Sequence, residues 1–189
     1  HTGQARHLSF SWTVNLMAVV PIIKPLHSIH PGEWYFGVEY ERLHTVLGSC
    51  IALTAWHPAL KLGGMCHYLL AIEPGKKNDP AMRRETNQQR MVVGDCRYAN
   101  NALEQMKRSM QAYADINEFQ LGIFGGGDMF AYSTPTSIGY DNIAFARQWL
   151  MREKLKPLHV DVGGSISRSL MLVIPTGEIQ LKHYEMNKP

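Results

Sequence analysis

The sequence has little net charge and no long hydrophobic run, which excludes two large classes of protein. Its formal net charge is only +3, and it has no interleaved stripe of basic and aromatic residues, so nucleic acid is not an expected partner. A membrane-spanning helix needs about 20 consecutive apolar residues. The best candidate, residues 16–23, is far shorter and is interrupted by Pro21, so neither membrane insertion nor a signal peptide is predicted.

Cysteine is also scarce. The three cysteines, Cys50, Cys66 and Cys96, cannot all pair, so no disulfide framework is predicted and a reducing cytoplasm is the simpler location. The Cys-x-x-Cys spacing typical of zinc sites is missing, which argues against a metal site built from these cysteines and His67. No phosphate-binding or dinucleotide-binding fingerprint is present, so no cofactor is expected. The Gly-x-Ser-x-Gly pattern of serine hydrolases is absent around Ser49.

The length and composition are those of one globular domain. A chain of 189 residues with 45% hydrophobic and 19% charged content can bury a substantial core. Prolines interrupt the start of the chain, so residues 1–32 are predicted to be an irregular leader with one short strand near 18–23. Residues 33–189 contain no repeat or linker and are predicted to form a single domain.

Hydrophobic patterns predict several strands and two helices. Strands are expected at residues 46–56, 62–72, 120–124, 158–162, 170–174 and 178–183. One helix is expected within residues 96–114, with inward positions at Ala99, Leu103, Met106, Met110 and Tyr113. A second helix is expected to begin at Asp141, its N-cap, with inward positions at Ile143, Ala146, Leu150 and Met151. Strand pairs joined by short turns and mixed with two helices indicate an α+β fold.

A cysteine and a histidine on adjacent apolar segments form the candidate site. Cys50 and His67 are separated by 16 residues, and two strands with a short connection would bring such positions side by side. An imidazole can take the thiol proton near neutral pH, which makes the sulfur a strong nucleophile. Gly48 fits a tight bend before the cysteine because glycine tolerates a positive φ, and N–H groups freed there could hold an oxyanion. The alternative is that Cys50 is an ordinary buried packing residue.

Two further features allow a functional interpretation. The cluster Gly125, Gly126 and Gly127 follows a predicted strand and indicates either a close backbone crossing or a tight loop that faces substrate. The polar segment 73–91 contains several Lys and Arg residues. It is either a solvated loop or a basic rim that steers acidic partners to the site.

Four motifs resemble the CheD family of chemoreceptor glutamine deamidases. They are Leu47-Gly48-Ser49-Cys50 with Gly63-Gly64-Met65-Cys66-His67; Gly125-Gly126-Gly127-Asp128-Met129-Phe130; Ile138-Gly139 with Asn142; and Asp161-Val162-Gly163-Gly164 with Arg168. The resemblance runs from about residue 33 to residue 185. It implies a layered sandwich of β-sheets with helices packed on one side, which agrees with the α+β pattern.

The resemblance also implies an activity and a set of roles. The expected reaction is hydrolysis of glutamine side chains to glutamate on the cytoplasmic helices of a bacterial chemoreceptor, and the same machinery could cleave a glutamate methyl ester. Cys50 would be the nucleophile, His67 the acid and base, and Thr45 the residue that orients the imidazole. The residues expected to contribute backbone to the oxyanion site or to lie close to substrate are Gly48, Ser49, Gly125, Gly126, Gly127, Gly163 and Gly164.

Two other kinds of function compete with the enzyme. A non-catalytic chemotaxis regulator would keep the scaffold and bind the receptor or a CheC-type phosphatase, which is a partner of this family in some bacteria. A thiol redox sensor would instead form a reversible disulfide between Cys50 and Cys66. The intact pair of Cys50 and His67 favours the enzyme.

Overall fold

The computed structural model describes residues 22–73, 94–129 and 137–185. The strands in these ranges are β1 (Lys24–Ser28), β2 (Trp34–Gly37), β3 (Tyr40–Leu47), β4 (Ile51–His57), β5 (Leu62–Tyr68), β6 (Gln120–Gly125), β7 (His159–Val162), β8 (Ile166–Val173) and β9 (Glu178–Glu185). The helices are α1 (Ala99–Gln111) and α2 (Ile138–Arg152), with a short 3-10 helix at Ile116–Glu118.

The strands form two mixed sheets. The first has the order β1-β3-β8-β9 and the second the order β2-β5-β4-β6-β7. The pairs β1/β3 and β6/β7 are parallel, while the other neighbouring pairs are antiparallel. The hairpins β4/β5 and β8/β9 have the short connections that the sequence predicted.

Two hydrophobic cores divide the molecule into three layers. One core joins the two sheets and contains Leu43, Leu47, Ala52, Met65, Phe124 and Leu170, among others. The other core joins the second sheet to α1 and α2 and contains Ile51, Leu53, Cys66, Tyr68, Met106 and Trp149, among others. Successive residues of β4 and β5 therefore point to different layers, and both strands are buried throughout. The predicted α+β sandwich with helices on one side is confirmed.

The segment 46–56 was predicted to be one strand, and this is wrong. The chain instead bends at Gly48 and Ser49, so that β3 ends in the first sheet and β4 begins in the second. Both strands contribute to the core between the sheets, so the hydrophobic run continues across the corner. A hydrophobic pattern indicates which residues are buried. Residues on both sides of this corner are buried, so the pattern gives no sign that the chain passes from one sheet to the other.

The described part of the predicted leader also differs from the expectation. Lys24–Ser28 form β1, which pairs in parallel with β3, and the side chain of Ile29 is buried in the core between the sheets. Pro25 lies within this strand at the edge of the sheet, a position that tolerates proline. Residues 1–21, which include most of the predicted short strand, lie outside the described ranges, as does nearly all of the basic segment 73–91.

The helices match the predicted pattern except near their ends. In α1 the inward side chains Ala99, Leu103, Met106 and Met110 are buried as predicted. Tyr113 follows the end of that helix and is 53% exposed, so its inward assignment is wrong.

Helix α2 begins four residues earlier than predicted. Its N-cap is Ser137, whose Oγ accepts a hydrogen bond from the backbone N–H of Tyr140 at 3.2 Å. Asp141 therefore lies in the first turn, where a carboxylate is favourable but does not cap the helix. Met151 is 77% exposed because it lies one position beyond the buried Leu150. None of the helices in the described ranges is long and apolar enough to cross a membrane.

We predict that Gly64→Ala destabilises the sandwich. A Cβ at Gly64 would collide with the backbone carbonyl of Tyr35 and the Cα of Phe36, so β2 would have to move away from β5. The expected loss in the free energy of unfolding is about 1–3 kcal/mol, measured by urea denaturation. The control is Gly94→Ala, where the nearest atoms belong to the end of the Asn101 side chain. Equal stability of both variants would contradict the prediction.

Candidate functional site

A hydrogen bond connects the two sheets at the candidate site. Thr45 lies on β3 and His67 on β5, and Thr45 Oγ1 is 2.8 Å from His67 Nδ1. The two residues are only 3% and 1% exposed. The structure therefore brings together two residues of the predicted site that are 22 positions apart in sequence.

The partners of Thr45 determine the tautomer of His67. Thr45 Oγ1 donates its single proton to the backbone carbonyl of Ile29 at 2.7 Å. The hydroxyl must therefore act as acceptor toward the imidazole, so Nδ1 carries the hydrogen and the neutral ring has its lone pair on Nε2. Nε2 is buried and has no hydrogen-bond partner among the described residues.

Burial also keeps this imidazole uncharged. The pKa of His67 is lowered from 6.5 to about 4, mainly because burial disfavours the charged ring; the Ile29 carbonyl and Glu33 act in the opposite direction, and the nearby His30 adds to the lowering. At neutral pH the ring is therefore a neutral base with a free acceptor nitrogen.

Cys50 lies on the same face of the second sheet as His67. In the β4/β5 pair, His67 is opposite Ala52. Cys50 immediately precedes β4 and packs with Ala52 in the core between the sheets, so both side chains face that core. Cys50 is partly buried and packs against the core between the sheets. Burial raises the pKa of its thiol. The thiol and Nε2 are not hydrogen-bonded to each other.

The other two cysteines lie elsewhere. Cys66 is fully buried in the core that faces the helices, and burial raises its pKa to about 12. Cys66 and Cys50 thus lie on opposite faces of one sheet, an arrangement that does not suit a disulfide. Cys96 is buried beside α1. No group of three or more metal-ligating side chains is assembled within the described ranges.

The glycine cluster holds the turn that carries Cys50. Gly126 N–H donates to the carbonyl of Cys50 at 2.7 Å, and Gly127 N–H donates to the carbonyl of Gly48 at 2.8 Å. Gly125 has a φ of +107°, and a Cβ there would collide with the Cys50 carbonyl. Of the two roles predicted for this cluster, the structure shows the close backbone crossing, while contact with substrate stays a prediction.

The pair Gly163 and Gly164, in the turn between β7 and β8, supports the glycine cluster at residues 125–127. Gly163 N–H donates to the carbonyl of Gly125 at 2.9 Å, and Asp128 N–H donates to the carbonyl of Gly164 at 2.8 Å. Gly163 and Gly164 both have a positive φ, +81° and +72°, so the turn between β7 and β8 requires residues without a Cβ.

Gly48 lies at the predicted bend, but the predicted conformational reason for a glycine there is wrong. Its φ is not in the left-handed region, but a Cβ there would lie 3.1 Å from Met129 Sδ and 3.2 Å from Met129 Cγ. Close packing against the Met129 side chain favours a residue without a Cβ at this position.

The carbonyls of three consecutive residues in the turn are bound from outside it. Gly48 and Cys50 are held by the glycine cluster, and the Ser49 carbonyl accepts a hydrogen bond from Asn142 Nδ2 at 3.0 Å. Because C=O and N–H point in opposite directions across a trans peptide, the Cys50 N–H is directed away from α2. This is the side on which the Cys50 side chain contacts the core between the sheets.

Two residues that anchor the site had no assigned role in the sequence prediction. Asn142 is fully buried in α2. Arg168 is 2% exposed, and its guanidinium donates to Asp161 Oδ1 at 2.8 Å and to the carbonyl of Gly163 at 2.8 Å. Burial alone would raise the pKa of Asp161, but hydrogen bonds from Arg168 and His183 hold it below its usual value. The sequence contained one sign of both residues: each is polar at a position where the helical or strand pattern predicts a core-facing side chain.

Comparisons with known proteins agree with these observations. A family model described as CheD chemotactic sensory transduction matches residues 81–183. A protein of Chromobacterium violaceum named "Probable chemoreceptor glutamine deamidase CheD 1" is 33% identical over 159 residues, which cover 82% of this chain and 75% of that protein.

Relatives from other bacteria give similar values. "Probable chemoreceptor glutamine deamidase CheD 3" of Dechloromonas aromatica is 32% identical, with 82% of this chain and 87% of that protein covered. "Probable chemoreceptor glutamine deamidase CheD" of Pseudomonas fluorescens is 34% identical, with 82% and 83% covered. An alignment over 82% of 189 residues necessarily includes residues 45–67, which the family model does not reach. The chain therefore belongs to the CheD family.

Proposed function

We propose that this chain is a protein-glutamine glutaminase that converts glutamine side chains on the cytoplasmic helices of a chemoreceptor to glutamate. The names of its relatives support the substrate and the reaction. The observation that carries the proposed mechanism is the buried hydrogen bond between Thr45 and His67. It leaves Nε2 without a hydrogen-bond partner among the described residues, on the side of the sheet that Cys50 also faces. This pre-set imidazole favours an enzyme over a regulator that only binds.

The first half of the reaction forms a thioester. His67 Nε2 takes the proton of the Cys50 thiol as the sulfur attacks the carboxamide carbon, which gives a tetrahedral oxyanion. The Cys50 N–H, directed away from α2, stabilises this oxyanion, and one such donor is worth about 3 kcal/mol in comparable sites. The imidazolium then returns its proton to the nitrogen of the substrate, the carbon–nitrogen bond breaks, and ammonia leaves.

The second half releases glutamate. His67 Nε2 takes a proton from water, the hydroxide attacks the thioester carbon, and a second oxyanion forms. Its collapse breaks the carbon–sulfur bond, and the proton held by His67 returns to the sulfur. A glutamate methyl ester could follow the same course with methanol as the leaving group, which is a better leaving group than ammonia.

The two pKa shifts determine how the proton moves. Burial favours the neutral form of both the thiol and the imidazole, so a resting thiolate–imidazolium pair is disfavoured. Proton transfer is therefore coupled to attack on the substrate, as in general base catalysis. Action on the cytoplasmic helices of a receptor would require a cytoplasmic location, which stays part of the proposal, and binding of a CheC-type phosphatase stays a prediction.

We predict that Cys50→Ala and His67→Ala abolish deamidation. The first variant has no nucleophile and the second no base, so turnover should fall at least about 1,000-fold. Mass spectrometry of a receptor cytoplasmic fragment, incubated with each protein, measures the conversion of glutamine to glutamate. Thr45→Val should give an intermediate loss because the imidazole remains but its tautomer is no longer fixed. Wild-type turnover by a folded Cys50→Ala protein would end the proposal.

The acid limb of activity should lie well below pH 6. Since the pKa of His67 is lowered to about 4, its base form is fully populated at pH 7 and is lost only as the pH falls toward 4. The measurement is kcat/KM for ammonia release between pH 4.5 and pH 8, with circular dichroism as the control for folding. A profile that falls to half near pH 6.5 would show an ordinary imidazole and contradict the assignment.

Alkylation should distinguish Cys50 from the other cysteines. Iodoacetamide added to the native protein at pH 8 is expected to label Cys50 first, because Cys66 is fully buried with a pKa of about 12 and Cys96 is only 8% exposed. The rate at Cys50 should continue to rise above pH 9, since burial raises the pKa of its thiol. Peptide mapping measures the sites, with labelling in urea as the control. Equal native rates at Cys50 and Cys66 would be inconsistent with the structure.

A further inference from the structure

We propose that Asn142 is a positioning residue that locks the turn carrying Cys50 to the end of the strand carrying His67. The inference rests on the proposed glutaminase function for its effect on turnover. Its structural part, the fixed geometry of the Cys50 turn, can be tested without any substrate.

The contacts of Asn142 connect the two halves of the site. Its Nδ2 donates to the carbonyl of Ser49 at 3.0 Å and to the carbonyl of Leu69 at 2.7 Å. Ser49 immediately precedes Cys50, and Leu69 follows His67 by two residues. A single carboxamide thus bridges the nucleophile turn and the end of β5.

The orientation of this carboxamide shows that donation is its role. Both of its hydrogens are used on carbonyl oxygens, while Oδ1 is buried without a hydrogen-bond partner among the described residues. An unpartnered buried acceptor is unfavourable. The side chain is nevertheless fully buried in α2, where an apolar residue would satisfy the packing alone.

The surrounding structure fixes Asn142 in turn. The hydroxyl of Tyr68, the neighbour of His67, donates to the backbone carbonyl of Asn142 at 2.7 Å. Gly139 lies one turn earlier on the same helix, and a Cβ there would lie 2.5 Å from the Gly126 carbonyl and 2.7 Å from the Gly127 carbonyl. The motif Ile138-Gly139-x-x-Asn142 therefore brings α2 close to the glycine cluster and supplies the side chain that holds the cysteine turn. The two hydrogen bonds from Asn142 Nδ2 to the carbonyls of Ser49 and Leu69 are called the clamp below.

The clamp has a direct consequence for the reaction. With the Ser49 carbonyl held toward α2, the next N–H and the Cys50 side chain are directed to the opposite side, toward His67. Without the two donated bonds, the Ser49–Cys50 peptide could rotate. Misplacement of a reacting group by about 1 Å can reduce turnover about 100-fold.

The test compares two substitutions at this position with a control on the same helix. Asn142→Leu keeps the approximate volume and removes both donors. Asn142→Asp keeps the shape and offers one O–H donor only when its carboxyl is protonated. The control is Leu150→Ala, which removes core packing two turns further along α2. For each protein, kcat, KM, the melting temperature and the rate of Cys50 alkylation as a function of pH are measured.

The expected result is a loss of about 100-fold in kcat for Asn142→Leu, with KM little changed. The kcat of Asn142→Asp relative to wild type should rise as the pH falls from 8 to 5, because protonation restores a donor. In both variants the midpoint of Cys50 alkylation should move toward that of a free thiol, while in Leu150→Ala it stays at the wild-type value despite a lower melting temperature.

Different results would overturn different claims. Wild-type kcat and a wild-type alkylation profile in folded Asn142→Leu would refute the clamp. If Asn142→Leu does not fold, a pH-independent ratio of Asn142→Asp to wild type would refute it instead. A wild-type protein without glutaminase activity would refute the proposed function, and a shifted alkylation midpoint in the variants would still support the clamp.

Discussion

The site depends on one proton, that of the Thr45 hydroxyl. Because this proton is donated to the carbonyl of Ile29, Thr45 can only accept from His67, and the free lone pair of the imidazole must be on Nε2. Three separate parts of the chain meet here: the residue after β1, the middle of β3 and the end of β5. The packing of the two sheets therefore sets a chemical property, the tautomer of His67, and the core between the sheets serves the site as well as the stability of the fold.

The burial that makes this arrangement possible also has a cost. Nε2 of His67 and Oδ1 of Asn142 are both buried without partners among the described residues, and each such group costs about 1–3 kcal/mol. Structural polar groups are normally satisfied in a folded protein. In the proposed mechanism the unsatisfied Nε2 of His67 is the base nitrogen. Oδ1 of Asn142 is unsatisfied because both hydrogens of the carboxamide go to carbonyl oxygens, one in the cysteine turn and one at Leu69.

Much of this structure was predictable from the sequence, but the corner between the sheets was not. Patterns of apolar residues predicted the bounds of α1 and β6 closely, because the buried side chains of an amphipathic helix recur at a fixed spacing and a short buried strand is a continuous apolar run. A bend at Gly48 was predicted, but the change of sheet at this bend was hidden because Leu47 and Ile51 are both buried, in different cores. The pairing of Thr45 with His67 depends on distances between sheets, which no local pattern records. Asn142 could be recognised as unusual, but its partners are backbone carbonyls, and these carry no sequence signal.

The three layers explain how the proposed reacting pair is supported at the end of the second sheet. Along β5, Met65 and His67 face the first sheet while Cys66 and Tyr68 face the helices. The first sheet can therefore orient the imidazole through Thr45, while the helical layer holds the strand end and the cysteine turn through Tyr68 and Asn142. A two-layer protein would supply only one of these supports. With a sheet on one side and a helix on the other, the two residues of the proposed proton transfer are held from opposite directions. The supports meet at the turn between β3 and β4.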